Sequence, residues 1–235
     1  MNSDKLVEDL VDSFFKKSKK KTKNQTLANY KDRLEAGGIG GDFYTHINYH
    51  TMKQSLLELI KNPKDNYIFV ETGCAAHGTK STLLWDRFVN LFKGNVYSVD
   101  LNTRCVEEAN TLTSSRTKVV NSDSLQYLPL LKNSIDFLYL DSYDVDFSKP
   151  LLSAEHHLKE FNCIRHLLHK GSIILIDDTP LSPEWLDNGK NNKKYKQIKE
   201  SFNPNMCGKG SLVNLELEKM GAKKILHQYQ VLWII

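Results

Sequence analysis

The sequence predicts an α/β domain with one doubly wound, mostly parallel sheet covered by helices on both faces. From Tyr67 onward, short β-rich runs alternate with segments of helical periodicity, and the chain ends on two strand-like runs with almost no connector. Alternating strands and helices form parallel β-α-β units with right-handed crossovers. Two adjacent runs instead form a tight hairpin. We therefore expect an antiparallel final strand.

The predicted elements follow in order along the chain, and 235 residues suffice for one substantial core. The predicted strands are short and rich in apolar residues: 67–70, 96–99, 118–120, 135–140, 172–176, 225–227 and 231–235. The predicted helices carry apolar residues at helical spacing: 52–60, 79–92, 154–168 and 211–220.

Composition is that of a globular protein, with 40% hydrophobic and 26% charged residues. The four cysteines include no CxxC pair, so neither a zinc knuckle nor a disulfide framework is indicated. No segment reaches the roughly eighteen apolar residues of a membrane helix, and the N-terminus lacks the pattern of a signal peptide. We therefore expect a cytoplasmic protein with no membrane partner.

Residues 1–40 are predicted to be a helical, lysine-rich extension that ends in a glycine hinge, and residues 41–235 the main domain. Lysines cluster at positions 16–23, and glycines at 37–41. Such a run could tether nucleic acid or a membrane surface. No aromatic residue interleaves the lysines to stack on bases. We interpret the run as the solvated end of a helix with Leu6, Leu10 and Phe14 on its apolar face.

The loop after the first strand, Glu71 to Ser81, is the first candidate ligand site. Its glycines allow the backbone to approach a ligand, and the following helix offers free amides. A dinucleotide fingerprint is disfavoured because Ala75 stands where the second glycine of GxGxxG belongs.

A phosphate-binding NTPase loop is the main rival interpretation. Gly73, four residues and Gly78 match its beginning, but Thr79 precedes Lys80 and displaces the lysine by one position. Glu71 also disfavours a nucleotide's phosphates and favours a cation such as a sulfonium.

Acidic residues also follow the second and third strands. In an open α/β sheet, ligands bind outside the carboxyl ends of the strands. Asp100 is placed to accept both hydroxyls of a ribose, and Asp123 with Ser124 suits the amino group of an adenine ring. A single acid at such a position is more often a helix cap or a solvated loop residue. Three at consecutive strand ends favour a nucleoside site.

Glu71-Thr72-Gly73 followed by Gly78, with Asp100 and Asp123, resembles the cofactor site of class I S-adenosylmethionine (SAM)-dependent methyltransferases. The resemblance spans about residues 67–235 and implies a Rossmann-like fold. It places Glu71 and residues 73–78 against the methionine part, Asp100 at the ribose, and Asp123 with Ser124 at the adenine. The resemblance implies the following cofactor-binding residues: Glu71, Gly73, Cys74, Ala75, Gly78, Ser81, Asp100, Leu101, Asp123, Ser124 and Asp141.

Three carboxylates follow the fourth and fifth strands: Asp141, Asp177 and Asp178. Three unpaired carboxylates packed together would repel one another, and Mg²⁺ with oxygen ligands would neutralise them. Such an ion can chelate an acceptor hydroxyl and lower its pKa. Alternatively, Asp177 and Asp178 only cap a turn before Pro180.

The acidic arrangement resembles two groups of metal-dependent O-methyltransferases, the catechol type and the macrocin-type sugar type. The latter is closer because Glu71-Thr72-Gly73 and Ile176-Asp177-Asp178 both match motifs typical of that family. Its second carboxylate lies two residues after the first metal ligand, where this chain has Tyr143. Asp144 and the pair His156-His157 are therefore candidate bases, and we assign Asp144 and His157 as catalytic.

Two further segments are expected to shape an acceptor pocket. Residues 42–50 are rich in aromatic and imidazole groups and suit a lid, although they could equally pack onto the sheet. The lysine-rich insert 181–209, which carries Trp185, favours an anionic acceptor such as a sugar phosphate or nucleotide-sugar.

The sequence thus predicts a SAM-dependent, Mg²⁺-dependent O-methyltransferase of a sugar, nucleotide-sugar or other small metabolite. The alternatives are a phosphate-binding NTPase and a non-catalytic nucleic-acid-binding module on the same fold. Nucleic acid is not expected as a partner of the first class, and a homo-oligomer is left open.

Overall fold

A computed structural model describes residues 2–16, 46–74, 80–186 and 193–235. Seven strands of these segments form one sheet in the order β3-β2-β1-β4-β5-β7-β6. In chain order they are β1 Tyr67–Thr72, β2 Gly94–Asp100, β3 Thr117–Asn121, β4 Ile135–Leu140, β5 Leu168–Ile176, β6 Lys223–His227 and β7 Val231–Ile234. The first five are parallel, and β7 runs antiparallel to both of its neighbours. The predicted antiparallel final strand is confirmed.

Eight α-helices lie in the described segments. They are α1 Ser3–Lys16, α2 Tyr49–Ile60, α3 Ser81–Phe92, α4 Thr103–Leu112, α5 Ser124–Tyr127, α6 Leu151–Ile164, α7 Lys193–Ser201 and α8 Ser211–Lys219. In those segments every helix is too short or too polar to span a lipid bilayer.

Two hydrophobic cores cover the two faces of the sheet. Neighbouring residues of one strand point to opposite faces, so Phe69 of β1 joins α1, α2 and α3 in the first core. Val70 joins α6 and α8 in the second core. Helices on both faces confirm the doubly wound α/β class.

Helix α1 is part of the first core. Val7, Leu10, Val11 and Phe15 are buried in it. The buried face is therefore rotated from the predicted one, and Phe14 only packs at its border. The side chains of the lysine run and the glycine hinge lie outside the described residues, so the division at residue 40 stays a prediction.

Helices α4 and α7 are the main elements that the sequence periodicity does not predict. Helix α4 buries only Cys105, Val106 and Ala109, so its apolar stripe is short. Its start is instead marked by Asn102, whose side chain accepts hydrogen bonds from the backbone amides of Arg104 and Cys105.

The strand order reverses around β1, which has β2 on one side and β4 on the other. The carboxyl ends of the parallel strands meet at this edge, where open α/β sheets bind their ligands. All the candidate site residues at strand ends are therefore brought to one edge.

Candidate functional site

A cleft opens at the carboxyl ends of the first four strands. Four residues predicted to bind the cofactor line it: Gly73, Asp100, Leu101 and Ser124. Five others also line it, and the sequence analysis does not assign them to the cofactor: Val99, Ser122, Ser142, Tyr143 and His156. Most of these five are neighbours of predicted residues in the same strand-end loops.

Gly73 forms the tight corner between β1 and the cleft. Its φ of +84° lies in the left-handed region, and its amide donates to the carbonyl of Val99 at 2.8 Å. A Cβ atom at this position would lie 2.4 Å from the carbonyl oxygen of Asp141. The corner therefore presses directly against the end of β4, and only glycine fits. Ala75 and Gly78, predicted to bind the cofactor, lie outside the described residues.

Asp100 and Leu101 form the wall of the cleft at the end of β2. Asp100 Oδ1 accepts a hydrogen bond from the backbone amide of Asn102 at 2.7 Å, which orients the carboxylate. The side chain of Leu101 is 73% exposed. A carboxylate beside an exposed apolar side chain suits a nucleoside, whose ribose is polar and whose base has an apolar face.

Asp123 and Ser124 have different positions at the end of β3. Asp123 Oδ1 accepts from the backbone amide of Leu125 at 2.8 Å and caps α5. Ser124 lines the cleft, and its Oγ lies 3.4 Å from Nε2 of His156. Ser124 therefore faces the predicted ligand, while the adenine contact of Asp123 stays a prediction.

Glu71 lies beneath the cleft, and no part of it is exposed. Its Oε1 accepts from Ser81 Oγ at 2.7 Å and from Trp85 Nε1 at 2.9 Å. Its Oε2 accepts from Thr82 Oγ1 at 2.6 Å and from Ser98 Oγ at 2.7 Å. Burial raises the pKa of Glu71, and the four hydrogen bonds oppose that rise.

The same geometry describes the surroundings of two residues that were predicted to contact the cofactor, Glu71 and Ser81. Ser81, like Glu71, has no exposed surface, and its hydroxyl is bonded to Glu71. The Glu71 carboxylate already accepts four hydrogen bonds, about as many as its two oxygens can take. Glu71 and Ser81 therefore tie β1, β2 and α3 together under the site, and their predicted contacts with the cofactor stay predictions.

Cys74 also lies below the cleft surface. Its side chain packs in a small core cluster with Cys105, Val106, Ala109 and Val119. Burial raises the pKa of the Cys74 thiol, with the nearby Asp100 charge as a second cause. The side chain is therefore an apolar support below the cleft, and the predicted cofactor contact of Cys74 stays a prediction.

Helix α6 brings His156 to the cleft and buries His157. The imidazole of His157 is completely buried, and its Nδ1 lies 2.7 Å from the carbonyl of Ser153. Burial lowers the pKa of His157 to about 4. The structure therefore places the His157 side chain away from the cleft surface, and its catalytic role stays a prediction. His156 is the histidine that lines the cleft.

Glu160 is a buried carboxylate that the sequence analysis does not single out. It accepts from Thr72 Oγ1 at 3.0 Å and Ser142 Oγ at 2.7 Å, and it lies 3.2 Å from Nε2 of His156. It therefore holds the ends of β1 and β4 to helix α6. The signal available in the sequence was a glutamate three and four residues after a histidine pair, since such spacings share a helix face.

The three predicted metal ligands come together at the ends of β4 and β5. Asp141, Asp177 and Asp178 offer carboxylate oxygens that lie within 4.8 Å of one another. Asp178 has a φ of +42°, a conformation that is strained for a residue with a side chain. Strain of this kind is concentrated at functional sites.

Lys209 reaches into this acidic cluster, which we define as Asp141, Asp177 and Asp178. Its Nζ lies 2.6 Å from Asp141 Oδ1 and 2.9 Å from Asp178 Oδ2. Only 1% of the residue is exposed. Burial works to lower the pKa of Lys209, but the three carboxylates raise it above its ordinary value, so the ammonium stays charged.

Neutral donors surround the rest of the acidic cluster. Asp177 Oδ1 accepts from Gln230 Nε2 at 2.9 Å and from Asn48 Nδ2 at 3.4 Å. Asp141 Oδ2 accepts from the Tyr139 hydroxyl at 3.2 Å, and the Tyr229 hydroxyl donates to Asp178. Burial, followed by mutual repulsion, raises the pKa of Asp141 and of Asp177. The carboxylates of the acidic cluster therefore repel one another even with Lys209 beside them.

The donor set fits a hard divalent cation. Mg²⁺ takes oxygen ligands from one or a few carboxylates and keeps the remaining positions for water and substrate. The acidic cluster offers three carboxylates whose oxygen atoms lie close enough together to bind one such ion.

The other predicted acceptor residues are scattered. Asp144 is exposed in the loop after β4. Trp185 is buried, so it packs under the insert rather than facing an acceptor. Lys199 is exposed and lies 3.5 Å from Glu184. Of the predicted lid, the described part begins at His46, and residues 42–45 lie outside the described residues.

The fold is that of Rossmann-like methyltransferases. The sheet order, the cleft at the strand reversal and the acids beside it agree with this class. A family model described as a methyltransferase domain matches residues 70–179, a stretch that holds both the cleft and the acidic cluster. This match extends over just under half of the chain and supports an enzyme of the methyltransferase class. This outcome favours neither the NTPase nor the nucleic-acid-binding module.

Solved structures share the fold at low identity. The O-methyltransferase NovP has a TM-score of 0.55 and 10% identity, over 99% of this chain and 99% of that chain. The MycE methyltransferase from the mycinamycin biosynthetic pathway, solved with Mg and SAH, has a TM-score of 0.52 and 14% identity, over 88% of this chain and 54% of that chain. The chain thus spans about half the length of MycE. No curated protein sequence matches the chain.

Proposed function

We propose that this protein transfers the methyl group of SAM to a hydroxyl of a small molecule, with a divalent cation in the acidic cluster. One observation carries the proposal. Asp141 belongs to the acidic cluster, while the next two residues, Ser142 and Tyr143, line the cleft. A cofactor in the cleft and a cation in the cluster would therefore be neighbours along one loop.

The residues of the cleft have separable tasks in this proposal. Asp100 binds the ribose and Leu101 packs on the adenine ring. Ser124 and His156 face the adenine ring from the other wall. Glu71 and Glu160, both fully buried, hold the strand ends at fixed positions below the ligand. Rigid support of this kind keeps the two substrates in line for transfer.

The acidic cluster supplies the acceptor side. Asp141, Asp177 and Asp178 would hold the cation, which when bound lowers the pKa of an acceptor hydroxyl. Asp144, exposed in the same loop, is the proposed base. The structure of MycE with Mg, SAH and mycinamycin VI, a neighbour in fold with a TM-score of 0.53, supports a small-molecule acceptor and a metal.

The proposed acceptor is a sugar, nucleotide-sugar or similar metabolite. The lysine-rich insert supports an anionic acceptor, since Lys196 and Lys199 are exposed on α7. The macrocin-type resemblance of the acidic residues points to the same substrate class.

Calorimetric titration with SAM and, separately, with ATP tests the cofactor. We expect SAM to bind and ATP not to bind. Asp100→Asn should weaken SAM binding by about tenfold or more, because it loses a charge-assisted hydrogen bond to the ribose. Asp65→Asn, at an exposed aspartate before β1, is the matched control and should bind like the wild type. Binding of ATP alone would overturn the proposal.

Transfer of a labelled methyl group to a panel of acceptors tests the reaction. The panel pairs neutral sugars with their phosphates and nucleotide derivatives, each with Mg²⁺ or with a chelator. We expect labelled product only with Mg²⁺ and more of it from the anionic members. Equal labelling in the chelator would remove the cation from the proposal, and transfer to nitrogen or carbon would remove the hydroxyl.

A further inference from the structure

Lys209 uses the same oxygen atoms that a divalent cation would use. Its ammonium lies within hydrogen-bond distance of Asp141 Oδ1 and Asp178 Oδ2, and it also lies 3.4 Å from the carbonyl oxygen of Asp141. Two positive ions cannot share these oxygens at such distances without strong repulsion. A cation that binds all three carboxylates therefore requires the ammonium to move.

The backbone around Lys209 is held tightly against Asp178 and Thr179, which follow the end of β5, so a displacement of the ammonium would have to come from the side chain. A Cβ atom at position 208 would lie 1.8 Å from the carbonyl oxygen of Asp178, so only glycine fits there. The Lys209 amide donates to that same carbonyl at 3.1 Å. The amide of Gly210 donates to Thr179 Oγ1 at 2.8 Å. These contacts fix the backbone at Lys209, so its side chain extends from a defined position beside the acidic cluster.

The acidic cluster needs a positive charge close to its carboxylates, and Lys209 supplies one. Three buried carboxylates without a cation would repel one another strongly. The hydroxyl and amide donors around them are neutral, and Lys209 is the cation that the described residues place in contact with Asp141 and Asp178. A divalent ion would bring more positive charge to the same oxygen atoms than the single ammonium does.

We propose that Lys209 is an internal competitor for the divalent cation. Its ammonium holds the carboxylates together in the metal-free protein and withdraws from them when the cation binds. This inference rests on the proposed metal site and adds to it a residue that sets the affinity. The cation then binds only at the concentration needed to displace a tethered charge.

Titration with Mn²⁺, followed by the electron paramagnetic resonance signal of the free ion, tests the competition without an acceptor. We expect Lys209→Met to bind Mn²⁺ about tenfold or more tightly than the wild type, because the competing charge is gone. Lys64→Met is the matched control, since Lys64 pairs with the buried Asp136 at the other end of β4. It should leave Mn²⁺ affinity unchanged.

Thermal unfolding in a chelator supplies a second readout. Metal-free Lys209→Met should be less stable than the wild type, because the carboxylates have lost their counter-ion. Mg²⁺ should restore the stability of the variant, because it supplies a new counter-ion. If this variant does not fold, Lys209→Arg replaces it. A guanidinium pairs more firmly with two carboxylates, so Mn²⁺ affinity should then fall below that of the wild type.

The outcomes separate the inference from the proposed function. Equal or weaker Mn²⁺ affinity in Lys209→Met would overturn the competition and leave the metal site standing. Binding by the variant but not by the wild type would support the competition and remove the metal from the proposed reaction. Binding by neither protein would overturn both, while SAM binding would still test the methyltransferase assignment.

Discussion

Glu71 and the acidic cluster are two buried acidic regions at the same edge of the sheet, and they are balanced differently. Glu71 is one carboxylate that accepts four hydrogen bonds from neutral donors. The acidic cluster places three carboxylates around one lysine. Burial raises the pKa in both regions, so the direction of the shift does not distinguish them. The two regions differ in how completely their carboxylate oxygens are matched by hydrogen-bond donors and counter-ions.

This difference separates an acid that supports the structure from acids that we propose to take part in the reaction. Glu71 is complete without any ligand, because its two oxygens are fully engaged and its donors come from β2 and α3. The acidic cluster holds three carboxylates beside one lysine, so the carboxylates still repel one another. A divalent cation would relieve that repulsion, which is why we propose the reaction there.

The largest expected effect concerns Glu71. Glu71→Ala should lower the free energy of unfolding by on the order of 3–5 kcal/mol, because four buried donors lose their acceptor. Glu71→Gln keeps the size and one oxygen, so its loss should be smaller. Urea unfolding measures both. If Glu71→Ala kept its stability and lost only SAM affinity, the carboxylate would face the ligand as the sequence predicts.

The next effect concerns pH and His157. Its pKa falls from the ordinary 6.5 to about 4 in the folded protein, so the unfolded chain binds the proton first as the pH drops. Stability should therefore be full above pH 6.5 and fall toward pH 4, by on the order of 3 kcal/mol from this group. His46 adds a loss of the same sign, because burial lowers its pKa to about 4 as well.

Unfolding of the wild type and of His157→Gln at pH 7 and pH 5 measures this effect. The variant should lose less stability between the two pH values than the wild type. An equal loss in both proteins would mean that His157 is accessible to protons, and it would support the predicted role of the residue as a base.

A smaller effect of opposite sign is expected at Asp141. Asp141→Asn removes one of three mutually repelling charges, so the metal-free protein should gain about 1 kcal/mol or stay unchanged. The same variant should lose the stabilisation that Mg²⁺ gives the wild type. Unfolding in a chelator and in Mg²⁺ compares the two. A loss as large as that of Glu71→Ala would erase the distinction between the regions.

The smallest effect concerns the cleft wall. Leu101 is 73% exposed, so Leu101→Ala should leave stability unchanged and weaken SAM binding by about 5- to 10-fold through lost apolar contact. Leu112→Ala is the matched control, because Leu112 is 53% exposed at the end of α4 and does not line the cleft. Equal SAM affinity in the two variants would mean that the adenine ring does not pack on Leu101.

Local pattern was sufficient for most of the fold and for part of the site. The strand Ile135–Leu140 matches its predicted bounds, because a continuous apolar run between turn signals is a local property. Asp141, Asp177 and Asp178 were predicted to meet, and they do, since the ends of adjacent parallel strands share one edge of a sheet.

Packing decided what local pattern left open. The side-by-side histidines of α6 differ only in the direction their side chains take, and the burial of one helix face sends His157 inward and His156 to the cleft. Glu71 was predicted to contact the cofactor because it lies at the end of a strand. The donors that enclose it come from α3 and β2.

By itself, the sequence determined the order of strands and helices, the antiparallel last strand and the acids at the strand ends, because each depends on neighbours along the chain. Only the tertiary structure decided which acids are satisfied and which are not. Lys209 enters the acidic cluster from a loop far along the chain, held there by contacts with Asp178 and Thr179. Charge balance depends on distances in space, and these are set when the loops pack on the sheet.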